Sequence, residues 1–201
     1  MEQTDILEKV DTIKSVLDKS ALYRQSLAPV FLFCGVIGSI ASLVALMLKI
    51  EQATNIMIYW MLIGIFTSMS SVLIMVKQAK GSGDVFWSGP VQRMAHASVP
   101  PILVGALGGV YCIVFFPDST LVSGQAVIGW LALYGLALNS GSIVLASKVR
   151  YLGWTFMLCG VIAGFVFELE LENPHLQHIT MGLGFGVLHL IQGLIEWKRH
   201  V

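Results

Sequence analysis

Three matched pairs of polar side chains interrupt apolar segments of this sequence. In each pair the two residues lie nine and six positions before a lysine, which is Lys77, Lys148 or Lys198. The pairs are Ser68 with Ser71, Asn139 with Ser142, and His189 with Gln192. An i, i+3 spacing places both members on one helix face, and nine residues at 1.5 Å each reach about 14 Å, near the middle of a bilayer. Such side chains have the chemistry to bind a polar solute or an ion.

If the three helices face one another, these pairs predict one polar layer that binds a solute, conducts one or locks the bundle. The alternative is purely structural, because Ser, Asn and Gln commonly hydrogen-bond between transmembrane helices without any ligand. His189 is the most informative member, since ionisable residues inside a bilayer are rare and usually face an interior or a cavity. Its own alternative is a buried histidine whose hydrogen bonds are satisfied.

A polar stripe continues from His189 towards the end of the chain. Gln192 and Glu196 follow it at i+3 and i+7, on the same helix face. The stripe predicts a path for a proton or a cation, with His189 titrating and Glu196 at the cytoplasmic mouth. His96, near the cytoplasmic start of the third apolar segment, is expected at a similar depth and completes the predicted mouth.

The densest set of possible metal ligands lies between the last two apolar segments, on the predicted outer side. Its members are Glu168, Glu170, Glu172, His175 and His178, of which Glu168, Glu172 and the two histidines are the candidate ligands. Carboxylates with imidazoles suit zinc or another divalent ion. We favour the alternative of a solvated acidic loop, because the spacing matches no established ligand signature.

Other chemistries lack the residues that they need. The sequence has no P-loop, no G-x-S-x-G or H-E-x-x-H motif and no pair of catalytic carboxylates, so an enzyme is not expected. A b-type haem needs two axial ligands at like depth, whereas His189 lies at mid-membrane and the other histidines near the surfaces. No cofactor is predicted. Cys34, Cys112 and Cys159 lie in apolar runs without paired spacing and are interpreted as core residues.

The elements that must position these residues are membrane-spanning helices. The chain of 201 residues is 56% hydrophobic and only 12% charged, whereas about a quarter of the residues of a soluble domain are charged. Six apolar runs approach the roughly 20 residues that a transmembrane helix needs. We predict an all-α polytopic membrane domain over 26-201, with spans near 27-48, 56-76, 95-116, 122-147, 151-167 and 177-196.

The basic residues predict the topology of these six helices. With six crossings, eleven of the twelve Lys and Arg residues lie on one side, and only Lys49 lies opposite. Short basic loops remain cytoplasmic, so three two-helix hairpins with both termini in the cytoplasm are expected. Tyr59 and Trp60 then lie towards the outer ends, where aromatic rings anchor at the interface. A lipid bilayer is therefore the expected partner. Nucleic acid is not expected, because the charges are sorted across the bilayer and form no single basic face.

Residues 1-25 precede the first span and have helical periodicity. Ile6, Val10, Ile13 and Leu17 recur at spacings of four, three and four, which indicates a cytoplasmic amphipathic helix. Its polar face mixes acidic and basic residues, unlike a helix built to hold anionic lipid. The helix is expected to pack on the membrane surface or the cytoplasmic ends of the bundle. The alternative is a coiled-coil element that recruits a second copy or another protein.

Three stretches of the sequence resemble a group of uncharacterised bacterial integral membrane proteins of about this length. They are Tyr134-Gly-Leu-Ala-Leu138, Arg150-Tyr-Leu-Gly153 and Gly184-Phe-Gly-Val-Leu-His189. The resemblance covers the whole chain and implies six helices, a bacterial inner-membrane location, and importance for Arg150 and His189. It implies no activity. The Glu- and His-containing outer loop differs from the shorter Pro/Gly connection of that group.

Two functions remain open from the sequence. The first is a small permease, channel or membrane sensor with a polar midplane site for a small solute or ion. The second is a membrane interaction or assembly subunit that transports nothing and recruits a partner through its N-terminal helix. Pairs of glycines at i, i+4 in the third, fifth and sixth spans predict close helix packing within one chain.

Overall fold

A computed structural model describes residues 27–83, 85–142, 147–169 and 173–198 of the chain, which leaves the predicted N-terminal helix outside the described residues. The described residues form helices and contain no strand. Six helices are long and apolar enough to cross a membrane. They are α1 (Leu27–Met47), α2 (Ala53–Gly81), α3 (Gly89–Phe115), α4 (Thr120–Gly141), α5 (Ser147–Leu169) and α6 (Pro174–Trp197). The chain is therefore a multi-pass membrane protein.

Several predicted boundaries differ from the structure by a few residues, and the end of the fourth span is the one that affects the predicted site. The fourth span was expected to reach residue 147, but α4 ends at Gly141, and Ser147 and Lys148 belong to α5. Ser142 follows α4 as its C-cap, and its hydroxyl donates to the carbonyl of Asn139 at 2.6 Å. Hydropathy does not detect this end, because the sequence stays apolar through the connection to α5.

Four of the helices form the centre of the bundle. Within the most apolar stretch of each helix, 33–44% of the residues are buried in α1, α4, α5 and α6, against 17% in α2 and 11% in α3. Trp60, Leu131 and Phe156 belong to the buried core, while large apolar side chains cover the outer faces of α2 and α3. An apolar exterior of this kind is compatible with lipid, where burial gives no hydrophobic advantage.

Small residues allow the central helices to pack backbone against backbone. A Cβ added at Gly135 of α4 would lie 2.6 Å from the carbonyl oxygen of Gly153 in α5, and one at Gly153 would meet Gly135 at 2.7 Å. Between α1 and α6, a Cβ at Gly38 would lie 2.5 Å from the carbonyl oxygen of Phe185. Only glycine permits such approaches, so the glycines fix the register of α4 on α5 and of α1 on α6.

The helix α6 is not a regular α-helix throughout. It is α-helical over Pro174–Met181, π-helical over Gly182–Leu188 and α-helical again over His189–Trp197. Asn173 caps its first turn by accepting a hydrogen bond from the amide of His175 at 3.1 Å, and Pro174 occupies the first position. π-helical turns are rare and frequently occur at functional sites. The side chains that α6 presents to the core are therefore candidates for a functional site.

Contacts between loops define one end of the bundle, which we call the predicted outer end. The Thr54 hydroxyl donates to the carbonyl of Pro117, and His175 lies 3.7 Å from the Glu51 carboxylate. These contacts place the start of α2, the connection between α3 and α4, and the start of α6 together. The sequence predicts that this end faces away from the cytoplasm.

Candidate functional site

The face of α6 that turns into the bundle carries an unusual amount of polar chemistry. His178, His189, Gln192 and Glu196 are all buried, with 0%, 1%, 7% and 2% of their surfaces exposed. Most buried polar groups in proteins are hydrogen-bonded, and ionisable groups within a membrane frequently mark a functional site. The partners of each side chain therefore decide what it can do.

His189 lies directly after the π-helical segment and bonds to two partners. Its Nε2 atom lies 2.7 Å from the hydroxyl of Tyr134 in α4, and its Nδ1 atom lies 3.4 Å from the carbonyl oxygen of Gly184. A carbonyl oxygen only accepts, so Nδ1 carries the hydrogen in neutral His189. Tyr134 then donates its hydroxyl hydrogen to Nε2. Because a phenol both donates and accepts, the same pair can hold an added proton on Nε2.

Four aromatic rings lie around His189, one of them that of Tyr134. The ring centroids of Phe31, Tyr134, Phe156 and Phe185 lie 5.8, 5.4, 5.3 and 6.0 Å from that of His189. Phe185 is close to parallel with the imidazole, at 18°. These ring contacts pack the imidazole tightly inside the bundle. We call these four rings with His189 the aromatic cage.

Further towards the C-terminal end of α6, two more polar side chains form a pair. The Gln192 side-chain amide donates to Oε1 of Glu196 at 2.9 Å, and both side chains are buried. Gln192 lies three residues after His189, so one helix face leads from the cage to Glu196. This part of the predicted stripe is present in the structure as a buried row of polar groups.

His178, near the predicted outer end, is bonded differently. Its Nδ1 atom accepts from the indole N–H of Trp60 at 3.0 Å, and its Nε2 atom lies 2.7 Å from the carbonyl oxygen of Ile50. Both contacts require the tautomer with hydrogen on Nε2, because an indole only donates and a carbonyl only accepts. A second hydrogen, on Nδ1, would face the indole N–H. His178 is therefore held neutral and ties α6 to α2 and to the residues after α1.

The six side chains of the predicted polar layer are not brought together. Tyr134, which meets His189, precedes Asn139 by five residues, or about 7.5 Å along a helix. Asn139 and Ser142 lie instead at the end of α4, where Arg150 donates to the Ser142 hydroxyl at 3.3 Å. The misalignment follows from Lys148, which belongs to α5 and is not equivalent to Lys77, a residue inside α2.

The α2 pair also makes separate contacts. Ser68 is exposed on the bundle surface. The Ser71 hydroxyl donates to the carbonyl of Thr67 at 2.7 Å and lies 3.3 Å from the sulfur of Cys34 in α1. Asn139 bonds to the carbonyl of Gly135 on its own helix at 3.4 Å. Ser71, Asn139 and Ser142 therefore serve helix contacts of their own, and Ser68 lies on the surface.

The predicted mouth is only partly assembled. Glu196 is buried on α6, whereas His96 is exposed on α3, a helix that packs against α4 and α2. The structure gives no contact between the two side chains. Glu196 remains the end of the buried row, and His96 lies outside it.

The predicted outer metal ligands are also dispersed. His178 is fully buried with both ring nitrogens engaged, while His175 is half-exposed beside Glu51. Glu168 is exposed at the end of α5, and Glu172 lies outside the described residues. Among the described residues, no group of three or more His, Cys, Asp or Glu side chains is close enough to hold a metal ion.

The sequence patterns did not indicate Tyr134 or Trp60 as site residues. Tyr134 occurs in one of the stretches that carry the family resemblance, and a tyrosine far from either membrane surface is a detectable signal. Trp60 was expected to anchor at the interface, but it is 3% exposed and donates to His178. A pattern of single positions does not reveal which distant side chain pairs with which.

The fold and the buried face of α6 define a six-helix membrane protein with an ionisable residue in its interior. Comparison of the chain with protein-family models, curated proteins and solved structures found no match.

Proposed function

We propose that this protein is a small permease, channel or membrane sensor in which a proton, or a small solute coupled to one, acts on the buried face of α6. The observation that carries the proposal is the row His189, Gln192 and Glu196, buried on one face directly after a π-helical segment. Burying these groups in a membrane is costly, and such groups usually mark ion or proton pathways. The proposed location is a bacterial inner membrane, with both termini cytoplasmic.

Proton exchange at Tyr134 and His189 follows from their hydrogen bond. In the neutral state Tyr134 donates to Nε2. When Nε2 gains a hydrogen, the phenol rotates its own hydrogen away and accepts instead, so no donor is left facing a donor. Burial opposes the cation that results, and the near-parallel Phe185 ring offsets part of that cost. His189 is therefore the central group, and Gln192 and Glu196 extend the row towards the predicted cytoplasmic end.

Proton flux into proteoliposomes tests this proposal. The purified protein is reconstituted with a trapped pH-sensitive dye, and a potassium diffusion potential drives protons inwards. We expect faster acidification than in empty liposomes, and we expect His189→Gln and Tyr134→Phe to return the rate to the empty-liposome value. Tyr111→Phe, at an exposed tyrosine of α3, is the matched control and should keep the wild-type rate. A wild-type rate equal to that of empty liposomes excludes a permease or channel that moves protons.

A second candidate function is a membrane assembly subunit that transports nothing. The observation in its favour is that Ser71, Ser142 and Gln192 each have a local hydrogen-bond partner, as side chains that only hold helices together would have. In this case residues 1-20 recruit another protein or a second copy of the chain. Deleting them would remove a co-purifying partner and leave the thermal unfolding of the bundle unchanged. Loss of proton flux in His189→Gln would instead favour the first function.

A further inference from the structure

Exposed basic side chains from four helices lie at the end of the bundle that the sequence predicts to be cytoplasmic. Lys77 and Lys80 lie near the end of α2, Arg93 near the start of α3, Arg150 near the start of α5, and Lys198 directly after α6. All five side chains are exposed. We call this surface the basic end.

The helix α1 begins at the basic end. The sulfur of Cys34 in α1 lies 3.3 Å from the Ser71 hydroxyl in α2, and a second contact shows that the two helices are antiparallel. From Cys34, the start of α1 at Leu27 is seven residues away, about 10 Å, and from Ser71, Lys80 is nine residues away, about 14 Å. Residues 1–26 therefore connect to the bundle beside the end of α2.

The acidic residues of the predicted cytoplasmic segments are concentrated before α1. Outside residues 1–18, these segments contain only Asp84 and Glu196. Residues 1–18 contain five acidic residues and two lysines, a formal charge of −3 without the amino terminus, and Lys19 and Arg24 follow them. The five are Glu2, Asp5, Glu8, Asp11 and Asp18. The first 18 residues therefore have the charge that the basic end attracts.

The connection between α2 and α3 adds apolar surface to the basic end. Val85 is 74% exposed and Trp87 is 55% exposed, and in the sequence they lie between Lys80 and Arg93. The predicted helix in residues 1–18 has an apolar face and a mainly acidic polar face. An amphipathic helix binds a surface that offers both apolar contact and opposite charge. The end of α2 and the start of α3 offer both.

Anionic phospholipid headgroups also bind basic surfaces. They repel an acidic segment, however, because a helix that lies on such headgroups carries mostly positive charge. The basic end attracts residues 1–18 instead. Since these residues are covalently connected to α1, their effective concentration at this surface is on the order of millimolar.

We propose that residues 1–18 dock on the basic end of their own chain, with their apolar face on Val85 and Trp87 and their carboxylates beside Lys80 and Arg93. The proposal goes beyond the proposed function and does not rest on it, because it requires no proton movement. It also differs from the second candidate function, in which this part of the chain recruits another protein.

Carbodiimide cross-linking of the full-length protein tests the proposal, because the reagent joins a carboxylate to an adjacent lysine amine as an amide. The protein is reconstituted in phosphatidylcholine nanodiscs, and the links are identified by mass spectrometry. We expect links from the acidic residues of 1–18 to Lys77 and Lys80, and several-fold fewer to Lys198. Lys49, an exposed lysine at the other end of α1, should form none.

Variants test the two kinds of contact without removing a reactive lysine. Arg93→Glu should lower the links to Lys80 at least about threefold, and Lys49→Glu should leave them unchanged. Raising the salt concentration from about 0.1 M to about 1 M should also lower them, because the screening length falls from about 10 Å to about 3 Å. Trp87→Ala should lower them several-fold, whereas Trp154→Ala, at an exposed tryptophan of α5, should not.

Four results would overturn the proposal. The first is an absence of links from residues 1–18 to Lys77 and Lys80, and the second is links to Lys198 as frequent as those to Lys80. The third is a mixture of ¹⁵N-labelled and unlabelled protein in which links join only different copies. The fourth is loss of the links when phosphatidylglycerol replaces part of the phosphatidylcholine, which would assign the basic end to anionic lipid.

Discussion

His178 and His189 lie eleven residues apart on α6, about 16 Å along the helix, and both are almost completely buried. By residue type and burial they are equivalent, yet their partners allow them different chemistry. The Trp60 indole can only donate, so it holds His178 in one neutral tautomer. The Tyr134 hydroxyl can donate or accept, so His189 can change its protonation within the same hydrogen bond. The hydrogen-bond partner therefore determines whether each histidine is a structural tie or a candidate proton site.

The largest expected effect is loss of the structural tie. His178→Ala leaves both the Trp60 indole and the Ile50 carbonyl without a partner and creates a cavity. We expect the free energy of unfolding to fall by about 3–5 kcal/mol, measured by chemical unfolding in detergent. His175→Ala, at a half-exposed position on the same turn, is the control and should change it by less than about 0.5 kcal/mol. Similar losses in both variants would show that His178 is not a tie.

Trp60→Phe tests whether the indole alone holds His178 neutral. The change removes the donor to Nδ1 and keeps an aromatic ring, so we expect a loss of about 1–3 kcal/mol. It should also make His178 able to take up a proton, which nitrogen chemical shifts would detect. If the histidine still stays neutral throughout an acid titration, burial and not the indole controls its charge.

Tyr134→Phe makes the corresponding change at the other histidine. The ring remains in the aromatic cage, and only the hydroxyl that bonds to Nε2 is lost, at a cost of about 1–2 kcal/mol. Proton flux should fall to the empty-liposome rate, a functional effect much larger than the change in stability. Flux that persists in this variant would exclude Tyr134 from the pathway.

The smallest effect is expected at the surface of α2. Ser68 is exposed and gives the structure no link to His189, so Ser68→Ala should change stability by less than about 0.5 kcal/mol and leave proton flux unchanged. Thermal unfolding and the liposome assay check both expectations. A flux defect in Ser68→Ala would restore the idea of a polar layer shared by three helices.

The membrane class and the six helices could be predicted because they depend on long apolar runs. The burial of His189 could be predicted because a charge exposed to lipid is costly. Asn139 was predicted at the depth of His189 on the assumption that each lysine closes a helix. Lys148 instead follows the end of α4 and belongs to α5, and the apolar sequence between them gives no sign of that end. Glycines at 182, 184 and 186 gave no sign of π-helical geometry. Pairings such as Trp60 with His178 span more than a hundred residues and arise only from packing.

The most direct test is an acid titration of protein labelled with ¹⁵N at histidine, followed by NMR of the imidazole nitrogens. We predict that His189 changes from hydrogen on Nδ1 alone to hydrogen on both nitrogens, and that His178 keeps hydrogen on Nε2 alone while the protein stays folded. His189→Gln and His178→Gln assign the signals. A His189 signal that never changes, or a His178 signal that titrates with it, would contradict the distinction between the two histidines.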